Sequence, residues 1–136
     1  MSTNFGELAV SDRKVLVVED DDDMREVLDA YMTLCGFSEV RAAANGQEAW
    51  EIFREFGPHL VITDLNMPVM SGYELISLIR GQDQEVAIIV ISGWIKEDFL
   101  PILEPYRVEA TLFKPFKMQV MKEVIARLYP AGDADA

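Results

Sequence analysis

Leu60-Val61-Ile62-Thr63 runs without a break into Asp64, and a turn through Asn66-Met67-Pro68 follows at once. An uninterrupted apolar and β-branched run of this length reads as a strand buried on both faces, the situation of a parallel sheet covered by helices. The pattern recurs along the chain. Lys14-Val15-Leu16-Val17-Val18 stops at Glu19-Asp20-Asp21-Asp22-Asp23, Val86 to Ile91 stops at Ser92-Gly93, and Val108 to Phe113 stops at Lys114-Pro115-Phe116. A shorter strand is expected from about Ser38 to Ala42.

Helical spacings separate these runs. Met24, Val27, Leu28, Tyr31 and Cys35 precede a stop at Gly36, and Ala49, Ile52, Phe53 and Phe56 lie between the N-cap Asn45 and Gly57-Pro58. Ser71 caps a third helix carrying Leu75, Ile76 and Ile79 inward and closed by Gly81, while Val120, Met121, Val124, Ile125 and Leu128 form the inner stripe of the last one. Strands that alternate with helices predict an α/β fold, a doubly wound five-stranded parallel sheet with helices on both faces, for which the order 2-1-3-4-5 is one of the two common arrangements and the one expected here. The exception is the segment from Ile95 to Tyr106, where Pro101 and Pro105 predict a short or broken helix starting near Pro101.

At 136 residues the chain suits one domain, expected over 14–129 between a flexible leader at 1–13 and a disordered tail at 130–136. Twenty-four acidic residues against 12 basic ones give a net charge of −12, which disfavours direct contact with nucleic acid or an anionic membrane. Cys35, the only cysteine, excludes an internal disulfide and fits a reducing compartment. Met1 to Asp12 lacks the features of a signal peptide, and the apolar run at Val86 is too short to span a bilayer, so a cytoplasmic protein is expected. No output domain is expected after the last helix. The protein is therefore expected to act by binding another protein, as a monomer or weak dimer.

In a 2-1-3-4-5 sheet the carboxyl ends of the strands bring Glu19 and Asp20, Asp64, Ser92 and Lys114 to one rim, at the switch point where such folds place ligands. Clustered carboxylates repel unless a cation sits among them, and Mg²⁺, with Mn²⁺ as a possible substitute, suits oxygen donors of this kind. A lysine as point charge and a hydroxyl as donor complete a phosphate-handling set. The chemistry this set fits is phosphoryl transfer onto Asp64 itself, giving an aspartyl phosphate. Taken singly, each residue has a plainer role: Lys114 a solvated loop lysine, Ser92 a turn residue, Glu19 and Asp20 acids at a helix entry. Asp22 and Asp23 fit that last role, beside the positive end of the helix dipole. No glycine-rich phosphate loop follows strand 1, so dinucleotide or P-loop nucleotide binding is not supported. The single His59 starts its strand, about 16 Å from Asp64, and belongs to no site.

With these motifs the sequence resembles the receiver domains of two-component response regulators, a flavodoxin-like family, from Lys14 to about Leu128. The resemblance rests on Val17-Val18-Glu19-Asp20-Asp21, on Asp64-Leu65-Asn66-Met67-Pro68 with Ser71-Gly72, on Ile91-Ser92-Gly93, and on Lys114-Pro115-Phe116. It implies that Asp64 is the phosphoacceptor and that Glu19, Asp20, Asp64 and the main-chain carbonyl of Asn66 hold Mg²⁺. It further implies Ser92 as the switch hydroxyl, Lys114 as the phosphate-binding lysine, and a cis peptide at Lys114-Pro115. The donor would be a phosphohistidine on a sensor histidine kinase or phosphotransfer protein, and the output an unidentified protein target. Such a domain is not an enzyme beyond its own phosphorylation and dephosphorylation.

Three features depart from the family, one of them the helix between strands 4 and 5 with its Pro101 and Pro105. Thr111 stands where an aromatic switch residue is usual, and Trp94 is bulky for a place flanking the phosphate; Trp94 is expected to relay the signal in place of Thr111. Three other readings stay open. A haloacid-dehalogenase phosphatase would want a second aspartate where Asn66 stands, a receiver-like docking module would signal without phosphorylation, and a flavin site has the least support.

Overall fold

The computed structural model of the chain describes residues 10–93 and 100–130. A short 3-10 turn, Val10–Asp12, leads into β1 (Lys14–Val18), α1 (Asp22–Cys35), β2 (Glu39–Ala43), α2 (Gly46–Phe56), β3 (Leu60–Asp64), α3 (Gly72–Gln82) and β4 (Ala87–Ser92). Then follow α4 (Leu100–Leu103), a 3-10 turn at Glu104–Tyr106, β5 (Ala110–Phe113) and α5 (Met118–Leu128). The five strands pair in parallel in the order β2-β1-β3-β4-β5. Alternation predicts the parallel sheet, and the observed order is the expected 2-1-3-4-5 of the two common doubly wound arrangements, the flavodoxin-like one.

The two-residue strand period divides the core in two. Val15, Val17, Leu60, Ile62, Ile89 and Ile91 face α1 and α5, packing on Leu28, Met32, Met121, Val124 and Ile125. Leu16, Val18, Val61, Ile88 and Val90 face the other way, onto Ala49 and Phe53 of α2 and Leu75, Ile76 and Ile79 of α3. Central strands covered on both faces must be apolar throughout, whereas the edge strands β2 and β5 carry exposed residues such as Glu39, Arg41 and Phe113.

Helix ends follow local chemistry. Asp21, Asn45 and Ser71 cap α1, α2 and α3 by accepting from the N–H groups of Met24, Glu48 and Glu74. Gly36 at φ 100° and Gly57 at φ 62° stop α1 and α2 in a conformation that costs other residues a clash at Cβ. Gly81 does not close α3 as expected: the helix continues to Gln82, and Asp83 caps it through its N–H to the Ile79 carbonyl. Val27 and Val120 are exposed and not on the inner stripes, since each lies a helical step to the flank of the buried Leu28 and Met121. Strand 5 begins at Ala110 and not Val108, which packs instead into the cluster under α2 and α3.

Pro101 falls in the first turn of the four-residue α4, and Pro105 in the opening turn of the 3-10 segment. Neither position needs a proline N–H, so the helix is short and restarts where the prolines demand it. The part of this expectation that concerns Ile95 to Phe99 lies outside the described residues. No helix among the described residues is long and apolar enough to cross a membrane.

Candidate phosphoacceptor site

Register sets the rim. Val18 pairs with Thr63, so Glu19 and Asp64 leave the sheet side by side; Asp64 pairs with Ile91, and Ser92 pairs with Phe113 just before Lys114. Each strand thus steps forward by about one residue, and the side chains converge from β1, β3, β4 and β5. Glu19 is fully buried, Asp64 is 4% exposed and Ser92 is buried, while Asp20 is exposed.

The Lys114 ammonium lies between two of the acids, donating to Glu19 Oε1 at 2.7 Å and to Asp64 Oδ2 at 2.9 Å. The peptide Lys114-Pro115 is cis, as the resemblance implies, and the Lys114 N–H donates to the Ser92 carbonyl at 2.7 Å. The second oxygen of each acid is also engaged. Asp64 Oδ1 accepts from the Asn66 N–H at 3.1 Å, and Glu19 Oε2 accepts from the Asp21 N–H at 3.1 Å. Asn66 Nδ2 lies 3.5 Å from Ser92 Oγ, which places the side chain of Asn66 over the hydroxyl.

Burial pushes the Glu19 carboxyl above its ordinary range; the Lys114 and Asp21 hydrogen bonds oppose this and the Asp64 charge adds to it. Lys114 is affected in the opposite sense. Burial alone would lower its pKa, but the hydrogen bonds and charges of Glu19 and Asp64 outweigh it and hold the ammonium more firmly protonated than usual. A positive charge is therefore fixed where two carboxylates meet.

Glu19, Asp20 and Asp64 each offer an oxygen, all within 4.8 Å of one another, and they are the only group of three or more such ligands among the described residues. Hard oxygen donors at this spacing fit a divalent cation such as Mg²⁺. Two supports escape a reading of the sequence. The Arg25 guanidinium donates to the Glu19 carbonyl at 2.8 Å, and the Glu19 N–H donates to the Ala43 carbonyl at 3.0 Å, so the backbone of Glu19 is held from both α1 and β2. An arginine one turn into a helix signals nothing by itself; only the fold shows what it reaches.

Thr111 is half-buried on β5 across from Val90 and lines a groove with Leu103, Glu104, Arg107 and Val108. Trp94 lies outside the described residues.

Comparison with known proteins decides the family. Residues 15–126 match the response regulator receiver domain. The chain belongs to that family. Among individual receiver proteins it is 31% identical to a chemotaxis protein CheY homolog of Campylobacter jejuni, over 90% of this chain and 96% of that protein. It is 35% identical to the Regulator of RpoS of Escherichia coli and 31% identical to a probable C4-dicarboxylate response regulator of Bacillus subtilis, over 88% of this chain each time. It spans only 36% and 54% of the length of those two.

Solved receiver structures superpose closely. A response regulator receiver protein from Pseudomonas putida gives a TM-score of 0.77 at 29% identity, covering 85% of this chain and 97% of that one. CheY4 of Vibrio cholerae gives 0.78 at 26%, covering 86% and 98%. Receiver domains are signalling modules of two-component systems, which gives this chain a phosphoacceptor role.

Proposed function

We propose that Asp64 takes the phosphoryl group and that the unit acting in this way is residues 14–129. The observation that carries the reading is the meeting of buried Asp64 and Glu19 on the Lys114 ammonium, at strand ends in register. An Asp64 oxygen attacks phosphorus in line, the P–N bond of a phosphohistidine on a kinase or phosphotransfer protein breaks, and the departing imidazole nitrogen is protonated. Lys114 exchanges its contact with Asp64 for one with a phosphoryl oxygen, and the Ser92 hydroxyl donates to another. Water attacking phosphorus later releases inorganic phosphate and restores the carboxylate.

Glu19, Asp20, Asp64 and the Asn66 carbonyl would hold Mg²⁺, or Mn²⁺, beside these groups. When bound, the ion supplies charge neutralisation that lets an anionic donor approach the acids. Trp94 is assigned the readout in place of Thr111, which is too small to fill the space the switch hydroxyl leaves, and the phosphorylated form switches binding to a protein partner. The setting is the cytoplasm.

Incubation with acetyl phosphate tests the reading. Labelling is expected only with Mg²⁺ or Mn²⁺ present, is lost in Asp64→Asn, and needs a higher metal concentration in Asp20→Ala. Undiminished labelling of Asp64→Asn overturns the assignment. A wild-type protein that is never labelled yet still binds its partner would instead be a docking module that signals without phosphate.

A further inference from the structure

We propose that Gly46, which offers no group to the acidic rim, is a positioning residue for phosphoryl transfer, its bare Cα seating the loop that carries Asn66. The inference rests on Asp64 as phosphoacceptor. Gly46 opens α2 and is buried. A Cβ built on it would stand 2.3 Å from the Met70 carbonyl oxygen, 2.8 Å from Met70 Cβ and 2.9 Å from the Met70 carbonyl carbon. Backbone atoms do not yield cheaply to such an approach.

Met70 belongs to the connection from β3 to α3, which leaves the rim at Asn66 and is closed by the Gly72 N–H donating to the Leu65 carbonyl at 2.9 Å. Inside it, the Met70 N–H donates to the Pro68 carbonyl at 2.8 Å across Val69, whose φ is 72°. A γ-turn with a β-branched residue at positive φ is already strained, so the loop has little slack to absorb a push. Its far end is as tight, because a Cβ on Gly72 would stand 2.1 Å from the Asp64 carbonyl oxygen. The loop is pressed between the backbone of Asp64 and the Cα of Gly46.

Conformation does not call for glycine at position 46, since its φ, unlike those of Gly36 and Gly57, is not positive. Alanine would also be the better helix former. What glycine permits is the close approach. The same junction holds Glu19 through the Ala43 carbonyl, and it is kept rigid by Asn45 and Glu48, which accept from the Glu48 and Ala44 N–H groups. One rigid corner therefore touches the backbone of Glu19 on one side and that of Met70 on the other. Pushing Met70 outward moves Asn66 away from Asp64 Oδ1 and Ser92.

The experiment compares Gly46→Ala with Gly81→Ala in the full chain. Gly81 sits in the last turn of α3 with no outside heavy atom within 4 Å of a built Cβ, so it takes the same chemical change without a collision. Below the melting temperature, Gly46→Ala is expected to keep its far-UV circular dichroism, to shift the amide resonances of Asn66 to Gly72, and to label with acetyl phosphate about tenfold or more slowly. Gly81→Ala should label within about twofold of wild type, the level at which a positioning loss on this scale would be absent. Should Gly46→Ala fail to fold, the pair Gly46→Ala/Val69→Gly, which relaxes the turn, is expected to fold and label slowly. A folded Gly46 variant that labels at the wild-type rate, or whose loop resonances stay in place, overturns the proposal. If wild type is never labelled, the phosphoacceptor reading fails, while the amide shifts still report whether Gly46 seats the loop.

Discussion

His59 Nδ1 accepts the Lys14 N–H at 3.0 Å, and a ring that accepts there must be unprotonated at that nitrogen. Burial, followed by the Arg13 and Lys14 charges, lowers its pKa on folding, with Asp83 opposing. Between the folded value and the ordinary value of about 6.5 the unfolded chain binds more protons, so stability rises with pH there. The contribution is present above about pH 6.5 and is lost as pH falls through the folded value. His59→Gln keeps an acceptor but cannot titrate. Denaturant unfolding at pH 7.5 and 5.5 should therefore show a larger loss for wild type than for His59→Gln, and parallel losses would refute the linkage. Val69 is the other residue with a clear forecast. It is 77% exposed, so Val69→Gly loses little packing and should raise stability by about 1 kcal/mol, from relief of positive-φ strain less the entropy glycine adds to the unfolded chain. An unchanged urea midpoint would contradict that.

Among the elements, α3 is the one that ties the less regular part of the fold down, and it does so through Arg80. Arg80 is 5% exposed, and its guanidinium donates to the carbonyls of Val86 at 2.6 Å, Tyr106 at 2.6 Å and Arg107 at 3.2 Å. It also meets Glu109 Oε1 at 3.5 Å, an oxygen that itself accepts the Ile88 N–H at 2.7 Å. A planar fork reaching several carbonyls has no equivalent in lysine. Arg80→Met should cost about 3 kcal/mol because the buried Val86 carbonyl and the part-buried Tyr106 and Arg107 carbonyls lose this partner, and Arg80→Lys should recover only part of it in thermal or urea unfolding. The helical period gave no hint of this, because it sorts residues by hydropathy and counts arginine as solvent-facing. The same limit explains Gly81: a glycine near a helix end resembles a stop, but here α3 runs one residue past it and Asp83 supplies the cap. By contrast the central strands β1, β3 and β4 were legible, since a strand covered on both faces is apolar throughout, and these runs, like that of the edge strand β5, stop at the residue that reaches the rim.

At the scale of the whole molecule, a net charge of −12 coexists with a site proposed to admit an anion. Lys114 alone cannot balance Glu19, Asp20 and Asp64, and the surrounding acidic surface raises the local concentration of cations. Mg²⁺ affinity measured by calorimetry should accordingly fall as ionic strength rises from low salt to several hundred millimolar, and an affinity independent of salt would argue against a field of this origin. Motifs at strand ends were legible because parallel topology brings carboxyl ends together whatever lies between them. The glycine contacts at Gly46 and Gly72 were not, since a close approach of two backbones leaves no trace in hydropathy. The central claim is that one carboxylate, Asp64, carries the phosphoryl group. Borohydride reduces an acyl phosphate to the alcohol and so turns a phosphorylated aspartate into homoserine, which peptide mass mapping locates. After Mg²⁺ and acetyl phosphate, homoserine is predicted at position 64 and not at Glu19 or Asp20 as the corresponding alcohol; reduction at either of those, or at no residue of a folded, metal-loaded protein, would contradict the account.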